Sequence, residues 1–397
     1  MLAIDTVELD SGHLIDGAFA SGSADLRVFS PIDGETLGHI ADGGPDEVDA
    51  AVLAARRASA AWGAAGPEAR RRSLKRFAAL IREYADELAM VECVDNGGLY
   101  KALRARVVER SARNIEFFAD LAAAQGDPIA PGGDNSDHIR RDPAGVAALI
   151  TPWNAPLMLT TWKIGPALAT GNAIVVKPPE LAPASCAFLG RLSIEAGLPP
   201  GVFNIVHGRG ESAGGALVDH PDVDRISFTG SPETGRRIAS AAGRNLTAVS
   251  LELGGKSPLI VFKSADLDAA AGTIAHQYFN AGQVCLAGTR VLVEAGISDE
   301  LFDLVRAKVS DLIVGDPRLP ETNVGPLISP AQFDRVQGFV ERALAAGAQA
   351  AWGGGIFLEN AQSYVDRVNA MSGGGLTIEL LPVNSVVKTS QMQDAVH

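Results

Sequence analysis

The chain has 397 residues, 47% of them hydrophobic and 20% charged, which is enough length and apolar content for at least two folded domains. Its formal net charge of -13 argues against sequence-independent binding to nucleic acid or to an anionic membrane, because both need a surplus of Lys and Arg. Cys93, Cys186 and Cys285 are widely spaced without metal-ligand pairing, so no metal site is expected. With no signal peptide or membrane-spanning run visible, we expect a cytoplasmic protein that acts on a small molecule.

The first third of the chain reads as short strands followed by a layer of helices. Apolar alternation around turn residues predicts strands within 17–20 and 26–40, and helical spacing of apolar residues predicts helices over 45–62, 67–84, 86–94 and 100–124. The segment 138–150 has Asp142-Pro143-Ala144-Gly145 at its centre. These turn residues predict a two-stranded excursion, of the kind through which subunits pair.

From residue 146 the pattern changes to alternating strands and helices. Strands are predicted over 146–150, 173–177, 202–207 and 224–228, and helical segments over 166–170, 185–196, 214–219 and 233–242. Such alternation predicts an α/β fold with a parallel sheet that binds ligands at its strand ends. A second α/β unit is predicted from strands over 248–252, 257–262 and 290–293 and helices over 267–280, 299–312 and 330–346. Gly353-Gly354-Gly355 marks a break after which the sequence changes character.

Cys285 lies in Gly282-Gln283-Val284-Cys285-Leu286-Ala287-Gly288, just after a predicted helix and between glycines that let a ligand approach the backbone. This setting suits a nucleophile. A lone cysteine is more often a small buried hydrophobe, and that interpretation is kept for Cys93 and Cys186, which fall inside predicted helices. A thiolate that adds to an aldehyde gives a tetrahedral thiohemiacetal, whose oxyanion needs fixed donors and whose hydride can pass to a nicotinamide.

Glu252 is the candidate base for hydrolysis of the resulting thioester. It stands at the end of an apolar strand beside a glycine turn, in Leu251-Glu252-Leu253-Gly254-Gly255-Lys256. Partial desolvation there would raise the pKa of the carboxyl and let it accept a proton near neutral pH. The alternative is a carboxylate at a strand end that is paired with Lys256.

Asn154 follows a strand and is held between two prolines, in Thr151-Pro152-Trp153-Asn154-Ala155-Pro156. The prolines restrict the backbone, and a rigid amide would make a good oxyanion donor. The alternative is an ordinary turn residue.

Two glycine-rich turns and one charged pair are candidates for a dinucleotide site. One turn begins Gly208-Arg209-Gly210; in the other, Ser231 can cap a helix that starts at Pro232 and leave free N–H groups for a diphosphate. Either turn could also be a plain strand-to-helix connection. Lys177 and Glu180 are spaced to reach ribose hydroxyls, and a carboxylate at Glu180 would repel a 2′-phosphate. We therefore expect NAD rather than NADP.

Together these segments resemble the aldehyde dehydrogenase superfamily, in order from about His13 to Gly355. The resemblance is carried by Pro152-Trp153-Asn154, Lys177-Pro178-Pro179-Glu180, Phe228-Thr229-Gly230-Ser231 to Gly235, Glu252-Leu253-Gly254-Gly255-Lys256 and Gly282-Gln283-Val284-Cys285. It implies a Rossmann-type NAD-binding domain over 1–250 and an incomplete α/β catalytic domain over 251–355.

The resemblance also implies roles for individual residues. Cys285 would be the nucleophile, Glu252 the base, and Asn154 an oxyanion donor together with the backbone N–H of Cys285. The NAD site would be lined by Trp153, Lys177, Glu180, Gly210, Gly230, Ser231, Gly235, Leu253 and Gly254. The presence of Glu252 implies a carboxylate product rather than a CoA thioester. The amino-acid sequences of segments 114–120 and 154–163 are most similar to those of dehydrogenases for semialdehydes from aromatic ring cleavage, or for aromatic aldehydes.

After Gly355 the resemblance stops, and the segments that hold the nicotinamide ribose and pair the subunits in this homo-oligomeric family are not recognised. The tail 356–397 reads as a helix (361–371), a glycine stop (373–375) and a strand (376–381), and resembles a fragment of a TRAP-type periplasmic solute-binding protein. A chimeric reading frame is the simplest hypothesis. Two alternatives to an active dehydrogenase follow: an inactive remnant that at most binds nucleotide, and a transport-binding protein.

Overall fold

The computed structural model describes residues 1–22, 25–126, 129–132 and 135–348. These residues form two compact units. Within these residues, unit 1 comprises 1–29, 36–96 and 100–254, and unit 2 comprises 30–35, 97–99 and 255–348. The tail 356–397, with the helix, glycine stop and strand predicted in it, lies outside the described residues, and so does the break at 353–355.

Unit 1 contains the strands β1 to β13 and the helices α1 to α9. The strands are β1 Leu2–Ile4, β2 Val7–Leu9, β3 His13–Ile15, β4 Ala18–Ala20, β5 Asp25–Phe29, β6 Thr36–Ala41, β7 Ile129–Gly132, β8 Asn135–His138, β9 Val146–Ile150, β10 Ala173–Lys177, β11 Phe203–Ile205, β12 Arg225–Gly230 and β13 Ala248–Leu253. The helices are α1 Pro45–Ala64, α2 Pro67–Glu83, α3 Ala85–Asn96, α4 Tyr100–Ala102, α5 Val108–Ala124, α6 Pro156–Ala169, α7 Ala184–Glu195, α8 Gly215–Asp219 and α9 Pro232–Asn245. Leu103–Val107 and Gly210–Gly214 are π-helical.

The main sheet of unit 1 has the strand order β13-β12-β9-β10-β11-β3-β4. The strands from β13 to β11 run parallel, and β3 and β4 add antiparallel pairs at one edge. Strands β10 and β11 follow β9 on one side of it, and β12 and β13 lie on its other side. The strand order therefore reverses between β9 and β12, and such a switch point is where open parallel sheets bind ligands.

Residues of β9 and β10 are buried along their whole length. Strands covered on both faces need apolar side chains at every position, which explains the continuous runs Val146–Ile150 and Ala173–Val176. The core beside them includes Val52 of α1, Val175 and Ile226. This packing fixes the two strands whose ends carry Asn154 and Lys177.

Unit 2 contains a parallel pair of strands and several helices. Its elements are β14 Pro258–Val261, α10 Leu267–Ala275, β15 Arg290–Val293, α11 Ser298–Ser310 and α12 Pro330–Ala345, with 3-10 turns at His276–Gly282 and Ala295–Ile297. Val261, Ala271, Leu301, Val305 and Val309 form its described core.

Several predicted elements need correction. The antiparallel pair lies at β7 and β8, over 129–138, instead of 138–150, because 146–150 has no polar face and is taken into the centre of the sheet. The segment 166–170 is the end of the longer helix α6, and β1 to β3 were missed because three-residue strands give little periodic signal. Residues 248–252 do not begin the second unit, since β13 pairs with β12 in unit 1. No helix in the described part of the chain is long and apolar enough to span a membrane.

Candidate active site

Cys285 is exposed, whereas Cys93 and Cys186 are buried in α3 and α7. Burial raises the pKa of the Cys186 thiol to about 12, so that group stays protonated. Among the cysteines, only Cys285 is therefore open to an external electrophile. This agrees with the structural interpretation given to the other two.

The loop before Cys285 has an unusual backbone. Asn280, Ala281 and Gly282 all adopt the left-handed conformation, with φ of 53°, 54° and 74°. Each of the two non-glycine residues costs about 1–3 kcal/mol in such a conformation, and strain of this kind concentrates at functional sites. The strained turn ends the 3-10 segment and leads directly into Gln283-Val284-Cys285.

Two glutamine side chains hold this loop in place. Gln283 accepts a hydrogen bond from the Ile328 backbone at 3.1 Å and donates to the Asn280 carbonyl at 3.1 Å. The Gln277 side chain accepts from the Gly288 backbone at 2.8 Å. A Cβ on Gly255 would lie 3.2 Å from the carbonyl oxygen of Cys285. Cys285 thus sits on a backbone that is fixed from both sides, which sequence reasoning did not predict.

Glu252 lies near the end of β13, the edge strand of the main sheet, and its side chain is exposed. The predicted partial desolvation is wrong for this structure. Leu251 and Leu253, its neighbours along the strand, pack against the core, so the side chain of Glu252 lies on the opposite face of the sheet and keeps its contact with water. Lys256, the alternative partner, belongs to unit 2, where its Nζ donates to the carbonyl of Gly255.

Lys163 is a candidate that sequence reasoning missed. Its side chain is buried in α6, and its Nζ donates to the Ser227 hydroxyl at 2.8 Å. Burial lowers the pKa of Lys163 from 10.5 to about 8, although the Glu252 carboxylate opposes this effect. A lysine with such a pKa can exchange protons near neutral pH. The sequence did contain a sign of this residue, because Lys163 is the single charged residue in the otherwise uncharged helix α6.

Asn154 is half-buried in the loop between β9 and α6, at the switch point of the sheet. Trp153, the residue before it, accepts a hydrogen bond at its carbonyl from the Asn96 side chain at 2.6 Å. The loop is therefore tied to the end of α3.

The structure brings Lys177, Glu180 and Gly210 together. The buried Lys177 ammonium lies 2.7 Å from a Glu180 carboxylate oxygen. Burial alone would raise the pKa of the Glu180 carboxyl, but Lys177 and the backbone N–H groups of Glu180 and Gly210 outweigh it and lower the net pKa. The pair holds a fixed carboxylate at the carboxyl end of β10.

A second group forms at the ends of β12 and β13. Ser231 caps α9 by accepting from the Thr234 backbone at 3.1 Å, and Pro232 takes the first helical position, as predicted. A Cβ on Gly235 would lie 2.6 Å from Leu253, and the Gly254 N–H donates to the Gly230 carbonyl at 3.3 Å. The start of α9 can therefore approach the sheet closely and present its N–H groups to an anion.

All the predicted site residues except Cys285 thus belong to unit 1, and Cys285 belongs to unit 2. Within unit 1 the Asn154 loop follows β9 and the Ser231 turn follows β12, so both lie at the carboxyl ends of adjacent parallel strands. Unit 1 presents a polar amide, a helix N-terminus and a carboxylate. Unit 2 presents an exposed thiol.

Comparisons with known proteins give a consistent result. The family model described as "Aldehyde dehydrogenase family" matches residues 19–366, past Gly355. A betaine aldehyde dehydrogenase of Sinorhizobium fredii is 41% identical over 354 residues, covering 87% of this chain and 72% of that protein. A 2-hydroxymuconic semialdehyde dehydrogenase of Pseudomonas sp. is 42% identical over 356 residues, covering 87% of this chain and 73% of that protein. The solved structure of the indole-3-acetaldehyde dehydrogenase AldA of P. syringae, in complex with NAD+, matches with a TM-score of 0.85 and 35% identity. The match covers 87% of this chain and 71% of that chain.

Proposed function

This chain belongs to the aldehyde dehydrogenase family, and on that premise we propose that it oxidises an aldehyde to the carboxylate with NAD, using Cys285 as nucleophile. The observation that carries the proposal is the contrast between the exposed Cys285 on its strained, pinned loop and the two buried cysteines. A nucleophile must reach its substrate and be held in one orientation, and Cys285 meets both requirements.

The reaction begins when the Cys285 thiolate adds to the carbonyl carbon of the aldehyde. Negative charge then develops on the carbonyl oxygen, and the Asn154 amide and the Cys285 backbone N–H donate hydrogen bonds to it. When bound, NAD supplies the acceptor for the hydride that leaves as the thioester forms. Rigid donors stabilise the oxyanion without reorganising, which is why the fixed Asn154 loop favours this role.

Hydrolysis of the thioester requires a base, and Glu252 is the proposed one. Its exposed carboxylate is open to water, which it deprotonates for attack on the thioester. The Lys163 ammonium lies within electrostatic reach of Glu252.

The residues of unit 1 fit a dinucleotide. The Ser231-capped start of α9 suits a diphosphate, and Gly230, Gly235, Leu253 and Gly254 allow the close approach described above. Gly210 and the Lys177–Glu180 pair favour ribose hydroxyls, and Trp153 borders the site in this proposal. The Glu180 carboxylate, with its lowered pKa, repels a 2′-phosphate. We therefore favour NAD over NADP.

Helix α6 begins two residues after Asn154 and packs against α5, and we propose that the exposed surface of these two helices receives the aldehyde. Phe117, Leu121 and Trp162 are exposed apolar side chains on these helices. The Arg110 guanidinium stacks on the Trp162 ring, 5.4 Å from its centroid. An apolar surface with a cation favours an aromatic aldehyde or an anionic semialdehyde, and disfavours a cationic aldehyde such as betaine aldehyde.

Rapid-mixing measurement of NADH formation tests the assigned roles. With Glu252→Gln we expect one equivalent of NADH in a burst, followed by slow turnover, because the acyl group forms on Cys285 but is not hydrolysed. Glu195→Gln, at an exposed carboxylate on α7, serves as the matched control and should turn over like wild type. A Glu252→Gln variant with normal steady turnover would exclude Glu252 as the base, and the absence of a burst in a folded variant would exclude the covalent step.

A further inference from the structure

Helices α6 and α7 begin without a capping side chain of their own. Their N-cap residues are Ala155 and Pro183, and neither side chain accepts a hydrogen bond. The first N–H groups of a helix have no partner within the helix, and leaving them buried and unpaired is costly. Another part of unit 1 must therefore satisfy them.

The end of α3 supplies both caps from outside. The Leu157 N–H donates to the two Glu92 carboxylate oxygens at 3.1 and 3.3 Å, and the Ala184 N–H donates to Asp95 at 2.7 Å. Glu92 is 1% exposed and Asp95 is fully buried. Burial raises the pKa of Glu92 to about 7 and that of Asp95 well above its usual range. A carboxyl oxygen accepts a helix N–H group in either protonation state, so these two side chains fix α6 and α7 to α3.

Asn96, four residues after Glu92 and therefore on the same face of α3, adds a third contact. Its side chain, 2% exposed, donates to the Trp153 carbonyl at 2.6 Å. The contacts of Asn96 and Glu92 thus bracket Asn154, one before it at Trp153 and one after it at Leu157.

We propose that Asn96 and Glu92 are positioning residues that hold the Asn154 amide in its oxyanion-binding orientation. The proposal rests on the proposed function, since it assumes that Asn154 is the donor. The Glu92–Leu157 contact is buried and the Asn96–Trp153 contact is half-buried, so solvent has little access to replace either bond when it is broken. Displacement of a donor by about 1 Å can lower a rate about 100-fold. Asp95 accepts a hydrogen bond from the first turn of α7 instead of from α6 or its preceding loop, which makes it a matched control.

The first test compares steady-state kinetics of Asn96→Asp and Asp95→Asn. Asn96→Asp keeps the shape but replaces the donor that faces the Trp153 carbonyl with an acceptor. We expect its kcat to fall about 10- to 100-fold, with KM for the aldehyde and Kd for NAD within about twofold. Asp95→Asn weakens the cap that the end of α3 gives to α7, a contact that is equally buried, and should keep kcat within about twofold. Equal losses in the two variants would show a merely structural role and overturn the proposal.

Two further variants make the assignment sharper. Glu92→Gln retains an acceptor for Leu157 and should keep more than a third of wild-type kcat, whereas Glu92→Ala should lose about tenfold or more. Combined with Asn154→Ala, Asn96→Asp should produce no additional loss, because the group it positions is gone. Independent, multiplicative losses in the double variant would contradict the proposal.

Hydrogen exchange tests the positioning role of Asn96 independently of aldehyde oxidation. The backbone N–H groups of Asn154, Ala155 and Leu157 should exchange at least about tenfold faster in Asn96→Asp than in wild type or Asp95→Asn, whether or not the protein turns over. Unchanged exchange would show that Asn96 does not hold the loop. Wild-type protein that forms no NADH with any aldehyde would refute the proposed function, while the exchange result would still decide the positioning role.

Discussion

Replacement of Lys163 by methionine should make the protein more stable at neutral pH. The fall in the pKa of Lys163 from 10.5 to about 8 reflects the cost of a charged ammonium in a buried position. At about 1.4 kcal/mol for each tenfold change, that cost is about 3 kcal/mol. Loss of the hydrogen bond to Ser227 offsets about 1.5 kcal/mol. The variant should therefore gain about 1–2 kcal/mol in the free energy of unfolding at pH 7.

The pH dependence of the stability gain shows whether the buried charge of Lys163 causes it. The folded protein holds the Lys163 proton less tightly than the unfolded chain does, so the full cost is present below about pH 8. As the pH rises from 8 to 10.5, the folded lysine becomes neutral and the cost disappears. The advantage of Lys163→Met should shrink to zero or reverse over this range.

Urea unfolding followed by tryptophan fluorescence measures this difference, since Trp62, Trp153 and Trp162 all lie in unit 1. Lys75→Met is the matched control, because Lys75 forms an exposed ion pair with Asp120 and should change stability by less than about 1 kcal/mol. Destabilisation at pH 7, or a gain that does not change between pH 8 and 10, would refute the reasoning.

Three other predictions follow from burial and close packing. Native protein should react with one equivalent of a thiol reagent, at Cys285, and the unfolded chain with three; two or more in the native state would contradict the buried positions of the other cysteines. Gly235→Ala should weaken NAD binding about tenfold by calorimetry, because its Cβ would lie 2.6 Å from a leucine carbon, whereas Gly243→Ala on the same helix has open space and should not. Burial lowers the pKa of His207 from 6.5 to about 3, so stability should fall by up to about 1.4 kcal/mol per pH unit below pH 6.5. His207→Leu should flatten that fall in acid unfolding curves, and an unchanged slope would exclude His207 as its source.

The main elements of unit 1 could be predicted because their signals are local. The continuous apolar runs at β9 and β10 identify strands that are covered on both faces, and the Ser231–Pro232 pair marks a helix start. The same reasoning placed Asn154 and Lys177 at strand ends. These features depend on a few adjacent residues, which a single sequence displays directly.

The remaining parts of the site depend on contacts between distant residues. Glu92, Asp95 and Asn96 meet their partners 65, 89 and 57 residues away, and no local pattern encodes such pairings. The exposure of Glu252 follows from which face of β13 the rest of the fold covers, since Leu251 and Leu253 pack against the core and Glu252 lies opposite them. Lys163 did leave a signal, as a charge in an apolar helix, but its partner Ser227 could be identified only from the fold.

The reaction itself provides the most direct test of the central claim. Purified protein is mixed with NAD and a panel of aromatic aldehydes and semialdehydes, and NADH is followed by absorbance beside Cys285→Ala. We predict turnover with the wild-type chain and none with the variant, while both bind NAD equally by calorimetry. A Cys285→Ala protein that forms NADH at the wild-type rate, or folded wild-type protein that binds NAD but oxidises no aldehyde in the panel, would contradict the account.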